Sequence, residues 1–268
     1  MNARQKFGEL TGNPSLTRRW RKLTSFVSVL ILGISISACS NSTTWNEEVL
    51  QHDGSKIIVE RSLKRGGPHE IGSRGGSVYQ SLTFQMPGTL KEIVWEDKRS
   101  EDLSTASFSP MALNVVDNTA YVVASPAGCL SYNKWGRPNP PYVVFKYQGQ
   151  DWSRIPLEKL PAEIKLPNLN ISSPDDKAKE IGGVVSAQTI QRLNAVSRMP
   201  QYLRIVREPV ANFDPSCGVM VGDGKGRWDG LGWFEKQPNL EACENYCKSE
   251  GFAEKYCPCK KLFEGKKL

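Results

Sequence analysis

The hydrophobic positions of this chain change their spacing twice. Between Thr24 and Ala38 they form one block, with Phe26, Val27, Val29, Leu30, Ile31, Leu32, Ile34 and Ile36. That block is shorter than the ~20 residues of a permanent membrane-spanning helix. From Lys56 onward apolar and polar residues alternate, over 56–63, 81–86, 91–95, 111–116, 119–124, 142–147, 152–155 and 202–206. A period of two turns one face of a strand toward a core, and each of these stretches is predicted to be a strand.

Turn chemistry separates most of them, at Met86-Pro87-Gly88, Asp117-Asn118 and Gln148 to Asp151. The stretch 111–156 predicts four consecutive strands, an antiparallel meander like a propeller blade or one sheet of a sandwich. It does not recur, so a full propeller lacks the material. The predicted fold is mainly β, an antiparallel sandwich-like or curled sheet.

Helical spacing enters late. Ser173 is a predicted N-cap, with Pro174 in the first helical position, Asp175 and Asp176 at the positive helix end, and Gly182-Gly183 as the stop. A second helix is predicted from Ser186, burying Ile190 and Leu193 with Val196 as a further candidate, and ending before Pro200.

Charge alters this picture only at the N-terminus. The 268 residues carry a formal net charge of +7, but residues 1–38 hold six of the 35 basic side chains and one of the 28 acidic ones, which leaves +2 on the rest. A body so near neutral has no electrostatic footprint for a phosphate backbone, so no nucleic-acid partner is predicted.

The basic run Arg18-Arg19-Trp20-Arg21-Lys22 precedes the apolar block, and Ile36-Ser37-Ala38-Cys39 closes it. Positive segment, short apolar run and small-residue exit make a secretory signal. The last four residues resemble the bacterial lipobox, an aliphatic residue and two small residues before the cysteine that is acylated. The resemblance covers the first 40 residues. It implies cleavage before Cys39, lipid attachment there and a membrane partner through that lipid. Ser40 and Asn41 follow without an aspartate, which implies the outer membrane of a Gram-negative envelope. The exported part as a whole is similar to uncharacterised lipoprotein-type proteins of such bacteria, a likeness that supplies no activity.

The predicted organisation is a signal peptide over 1–38, an acylated cysteine and polar tether over 39–55, a mainly β domain over 56–221, a glycine-rich linker over 222–238 and a cysteine-rich helical tail over 239–268. Setting Cys39 aside leaves an even set, Cys129, Cys217, Cys243, Cys247, Cys257 and Cys259, which argues for disulfides in an oxidising compartment. Cys243 and Cys247 are four apart, on one face of a helix, and Gly251 can end that helix so that Cys257 and Cys259 fold back. The preferred pairing is Cys243 with Cys259, Cys247 with Cys257 and Cys129 with Cys217. Six cysteines allow 15 arrangements, and a four-thiolate zinc site is the alternative for the tail.

Candidate chemistry is sparse. His52 and His69 are the only histidines, and His69 lies with Glu70 and Arg74 in a glycine-rich loop that reads either as a ligand grip or as a mobile connection. Phosphate-loop, nucleophile-elbow and metal-helix motifs are missing. The carboxylates Glu96, Asp97, Glu101 and Asp102 cluster near Trp95, as a glycosidase requires and as any acidic turn also supplies. The segment 129–142 places Tyr132, Trp135, Arg137 and Tyr142 among prolines; aromatic and arginine side chains are typical interface anchors, and a stiff loop loses little entropy on binding. These four are the predicted binding residues. No catalytic residue, metal or cofactor is predicted. The expected function is a noncatalytic envelope module for a protein or glycan partner, with an envelope hydrolase as the alternative.

Overall fold

A computed structural model describes residues 42–67, 75–211 and 216–265. Cys39, His69, Glu70 and Arg74 lie outside the described residues.

Strand β1 (Ser42–Leu50) and β2 (Lys56–Gly66) form a hairpin, continued by β3 (Gly76–Gln85) and β4 (Glu92–Lys98). The register puts Trp45, Glu47 and Val49 on the same face as Val59, Arg61, Leu63, Leu82, Phe84, Ile93 and Trp95, and all of them are buried. Residues 42–50 are therefore not a tether. Polar Thr44, Asn46 and Glu48 occupy the alternate, outward positions, and the strand is interior to its sheet because the short β9 (Val184–Val185) pairs in parallel along its other side.

The second sheet is the meander β5 (Phe108–Val116), β6 (Thr119–Pro126), β7 (Val143–Gln148) and β8 (Asp151–Ile155). Asp117 and Asn118 both take positive φ, 48° and 56°, as the two-residue turn of a tight hairpin requires. The sheets face one another. Val49, Val59, Leu82, Ile93 and Trp95 from the first meet Phe108, Leu113, Val122, Ala124 and Val143 from the second.

The outer face of the meander is covered as well, with Met111, Tyr121, Val123 and Val144 packed under Leu160, Ile164 and Ile205. Burial on both faces explains why β5 and β6 are apolar almost without interruption. It also explains a departure from expectation at 202–206. Pro200–Leu203 is a single helical turn, and Tyr202, Ile205 and Val206 lie across the sheet face as a cover instead of adding a strand at its edge.

Six further helices are described. Helix α1 (Cys129–Lys134) lies between β6 and β7; α2 (Pro174–Ile181) and α3 (Ala187–Asn194) flank β9; α4 is the turn Pro200–Leu203; α5 (Leu231–Glu235), α6 (Leu240–Ser249) and α7 (Cys259–Phe263) build the tail. Ser186 caps α3 by accepting from Thr189 N at 3.3 Å, and Asn239 caps α6 by accepting from Ala242 N at 2.9 Å. Helix α3 ends at Asn194, short of Pro200, and leaves Val196 exposed at 75% while Ile190 is buried.

The stretch 222–238 is no linker. Met220–Gly222 (β10) and Trp228–Gly230 (β11) form a hairpin that leads straight into α5, and the indole of Trp228 donates to Asp102 O at 2.7 Å. The tail is centred on Phe234, Phe252, Cys243, Cys247 and Cys259. Cys129–Cys217, Cys243–Cys259 and Cys247–Cys257 are bonded, with Cα–Cα separations of 5.3, 5.7 and 5.9 Å, within the span a disulfide bridges. No helix among the described residues is long and apolar enough to cross a membrane.

Candidate functional site

The segment 129–142 does not present its aromatics. Tyr132 and Tyr142 are buried, and the Tyr142 hydroxyl donates to Gln201 O at 2.6 Å. Burial pushes that phenol up to about 12. Trp135 packs 4.7 Å, centroid to centroid, from Phe108 at the end of the main core, and the Arg154 guanidinium lies over its ring. Arg137 lies over the Tyr132 ring and donates to Asn133 Oδ1 and Gly218 O. Tyr132, Trp135 and Arg137 thus seat α1 and join it to the chain beside Cys217, while Tyr142 fastens the 201–206 cover to the meander. Aromatic side chains next to a sheet end gain more by covering core than by facing water.

The segment's proline half, Pro138 to Pro140, lines a cavity of about 570 Å³ together with Tyr142, Arg154 and Arg207. Arg207 is committed elsewhere, donating to the carbonyls of Leu157, Leu160, Pro161 and Ile164. It fastens a loop that has no sheet partner for those oxygens.

The acidic cluster also disperses. Glu96 and Asp97 are neighbours in β4 and point to opposite faces. Glu96 is exposed beside Lys98 and the Tyr79 hydroxyl, which lower its pKa. Asp97 is buried, and desolvation raises its pKa even though Ser107 N, Phe108 N and the Gln80 amide donate to it. Asp102 pairs with Lys134 at 2.8 Å. Asp97 organises the start of β5 and Asp102 the seat of α1.

A second cavity lies where β1 ends. A groove of about 480 Å³ runs between the β1–β2 turn, residues 163–168 and α3. Its wall is held by side-chain amides that mimic a strand. Asn168 Oδ1 accepts from Leu113 N at 2.8 Å, and its Nδ2 donates to Leu50 O and Leu113 O at 2.8 and 2.9 Å. A bulge at Met111 turns that carbonyl toward the backbone N–H groups of Asn168 and Leu169. Gln51 is buried, accepting from Val115 N and donating to Leu113 O. Asn194 bridges Ile171 N and Leu169 O, and Asn114 accepts from His52 N.

With the amides so engaged, the groove offers an apolar floor that includes Leu50 and Ile190, and an exposed rim of His52, Glu163, Lys165 and Gln191. Leu166 and Leu203 line it at 57% and 42% exposure. Among the described residues the lining contains no phenyl, phenol or indole ring. Of these lining residues the sequence singles out His52 as an imidazole and Ile190 as a buried helix position. The one local signal for the rest is Leu166, an apolar residue bracketed by Lys165 and Pro167 outside any regular period. No protein-family model, curated protein or solved structure matches this chain.

Proposed function

We propose that this chain is an envelope lipoprotein, acylated at Cys39 and carried on the outer membrane, whose folded part is a noncatalytic binding module. The lipid anchor rests on the order of basic run, short apolar block and Ile36-Ser37-Ala38-Cys39. The binding role rests on one observation, the groove beside the β1–β2 turn. The amides of Gln51, Asn168 and Asn194 in its wall are consumed by main-chain hydrogen bonds, so that wall is rigid before any ligand arrives, while Leu166 and Leu203 remain exposed at its mouth. A preorganised wall reduces the ordering cost of association.

The chemistry favours a protein segment over a glycan. Aliphatic walls accept an aliphatic side chain, and an amide and ionisable rim suits a peptide backbone, whereas sugar platforms use aromatic rings that this lining lacks.

The test is photocrosslinking in living cells, with a photoreactive residue replacing Leu166 or Leu203, and replacing Ile58 on the outward face of β2 as control. A discrete crosslinked partner at the two groove positions and none at Ile58 supports the reading; the same pattern at all three positions removes it. Metabolic labelling with a fatty-acid probe tests the anchor separately, and label that persists in Cys39→Ser would remove acylation at this cysteine.

A further inference from the structure

The first sheet begins almost at the proposed acylation point. Cys39 and Ser42 are three chain steps apart, a reach of at most about 11 Å even when fully extended. Acyl chains in a bilayer hold their cysteine at the headgroups, so Ser42 can rise no farther from them than that. The polar tether predicted from composition would have allowed many times this distance, and strand β1 takes those residues for itself.

The register identifies what shares that end of the sheet. Ser42 lies opposite Lys64, Lys64 opposite Tyr79, and Tyr79 opposite Lys98. Arg99 follows, its N–H donating to Val78 O. Helix α2 is tied to the same end by the Arg65–Asp175 ion pair at 2.8 Å, and brings Lys177, Lys179 and the exposed Ile181. Glu96 and Glu180 pair with Lys98 and Lys177, but exposed pairs of this kind are weak and can yield to phosphate. Lys64 is one strand spacing from Ser42 and Lys98 three, about 5 and 14 Å, so a sheet end turned toward the headgroups brings these charges near the ~8 Å Debye length of physiological salt, where basic side chains are attracted to anionic lipid.

The groove sits at the opposite end of β1, beyond Leu50. Eight strand steps separate Ser42 from Leu50, about 26 Å.

Resting on the lipid anchor proposed above, we infer that the Ser42 end of the first sheet lies against the phospholipid headgroups of the membrane that holds Cys39, and that the groove is turned away from that membrane. The anchor is thereby an orienting device as well as a tether. The groove's partner comes from the aqueous side and not from the lipid of the same leaflet.

Protein purified from its own membranes and reconstituted into phosphatidylglycerol-containing vesicles provides the test, by lysine footprinting with an amine-reactive reagent and mass spectrometry. Lys64, Lys98 and Lys179 should be labelled at least about threefold less than Lys56 and Lys165, which lie at the groove end. A flexible spacer of about 20 Gly and Ser residues inserted after Ser40 should abolish the difference, because it lets the body leave the surface. Even labelling of all five lysines, protection of Lys56 and Lys165 instead, or protection that survives the spacer would overturn the orientation while an acylated intact mass leaves the anchor standing. An intact mass without acyl chains overturns the anchor, and the orientation with it.

Discussion

Arg61 Nη1 and Glu47 Oε1 meet 2.9 Å apart in the interior of the protein, with 3% and 0% of their side-chain surfaces exposed. They sit on neighbouring strands but are not directly opposed, since the register pairs Arg61 with Trp45 and Glu47 with Val59. Trp45 completes the arrangement, donating its indole N–H to Glu47 at 2.8 Å beneath the Arg61 guanidinium. Glu47 accepts from Asn170 N and Arg61 donates to Asn170 O, so the pair fastens the segment before α2 to the sheet.

Removing one member of this pair leaves the other charged, buried and unpaired. Glu47→Ala or Arg61→Ala should each cost about 3–5 kcal/mol, and the joint replacement Glu47→Leu with Arg61→Met should cost markedly less than the sum. Urea unfolding followed by tryptophan fluorescence measures both. Additive losses would show that the two groups do not act as a pair.

Asn168 and Asn170 are two residues apart, both buried, and predicted to respond in opposite ways. Asn168 makes three main-chain hydrogen bonds through its amide, whereas neither amide atom of the fully buried Asn170 side chain has a protein partner among the described residues. Asn168→Leu leaves backbone groups unsatisfied and should cost about 1–3 kcal/mol, while Asn170→Leu should be near neutral or stabilising. Thermal melts of the two variants decide this, and equal losses would contradict it.

The Arg65–Asp175 pair should contribute to the acid limb of stability. Hydrogen bonding to Arg65 lowers the Asp175 pKa on folding. A carboxyl depressed in the folded state adds stability above its unfolded value near 3.9, and that contribution is lost as pH falls through the depressed folded value. Asp97 works in the other direction, because burial raises its pKa, so its contribution is present at low pH and declines as pH rises. Only the difference between wild type and Asp175→Asn isolates the first effect. The urea midpoints should lie apart at about pH 6 and draw together as pH falls below about 4. A constant gap would show that Asp175 does not titrate in this pair.

Trp135 and Arg137 should behave as structural residues. Trp135→Ala removes a ring from the end of the core beside Phe108 and should cost about 3 kcal/mol. Arg137→Ala, which loses exposed and part-buried contacts to Asn133, Gly218 and Tyr132, should cost about 1 kcal/mol. Folded stability is the readout. Loss of the crosslinked partner from Arg137→Ala with unchanged stability would return this segment to the binding surface.

Much of the architecture was legible along the chain, because a strand with one face on a core records its own orientation residue by residue. Seven of the eight alternating stretches lie in strands, the Asp117-Asn118 turn takes the backbone its residues favour, and helices begin at Pro174 and after the capping Ser186, although Ser173 takes a left-handed backbone and makes no side-chain cap. Strand β1 escaped because its inward positions are Trp45, Glu47 and Val49. A carboxylate at a core site scores as polar until the arginine that neutralises it, fourteen residues away, is known.

The covering of the aromatic segment was illegible for a related reason. Tyr132, Trp135 and Tyr142 look alike from the sequence whether they meet a partner or their own core, and only the position of Phe108 and Gln201 decides between those outcomes. The groove depends on contacts over still longer separations, since Asn168 reaches Leu50 across 118 residues. Local periodicity and turn chemistry determined where strands and helices form, since those depend on near neighbours. Which polar groups are satisfied, which rings are covered and where an open surface remains were decided by tertiary packing, which alone brings the distant partners together.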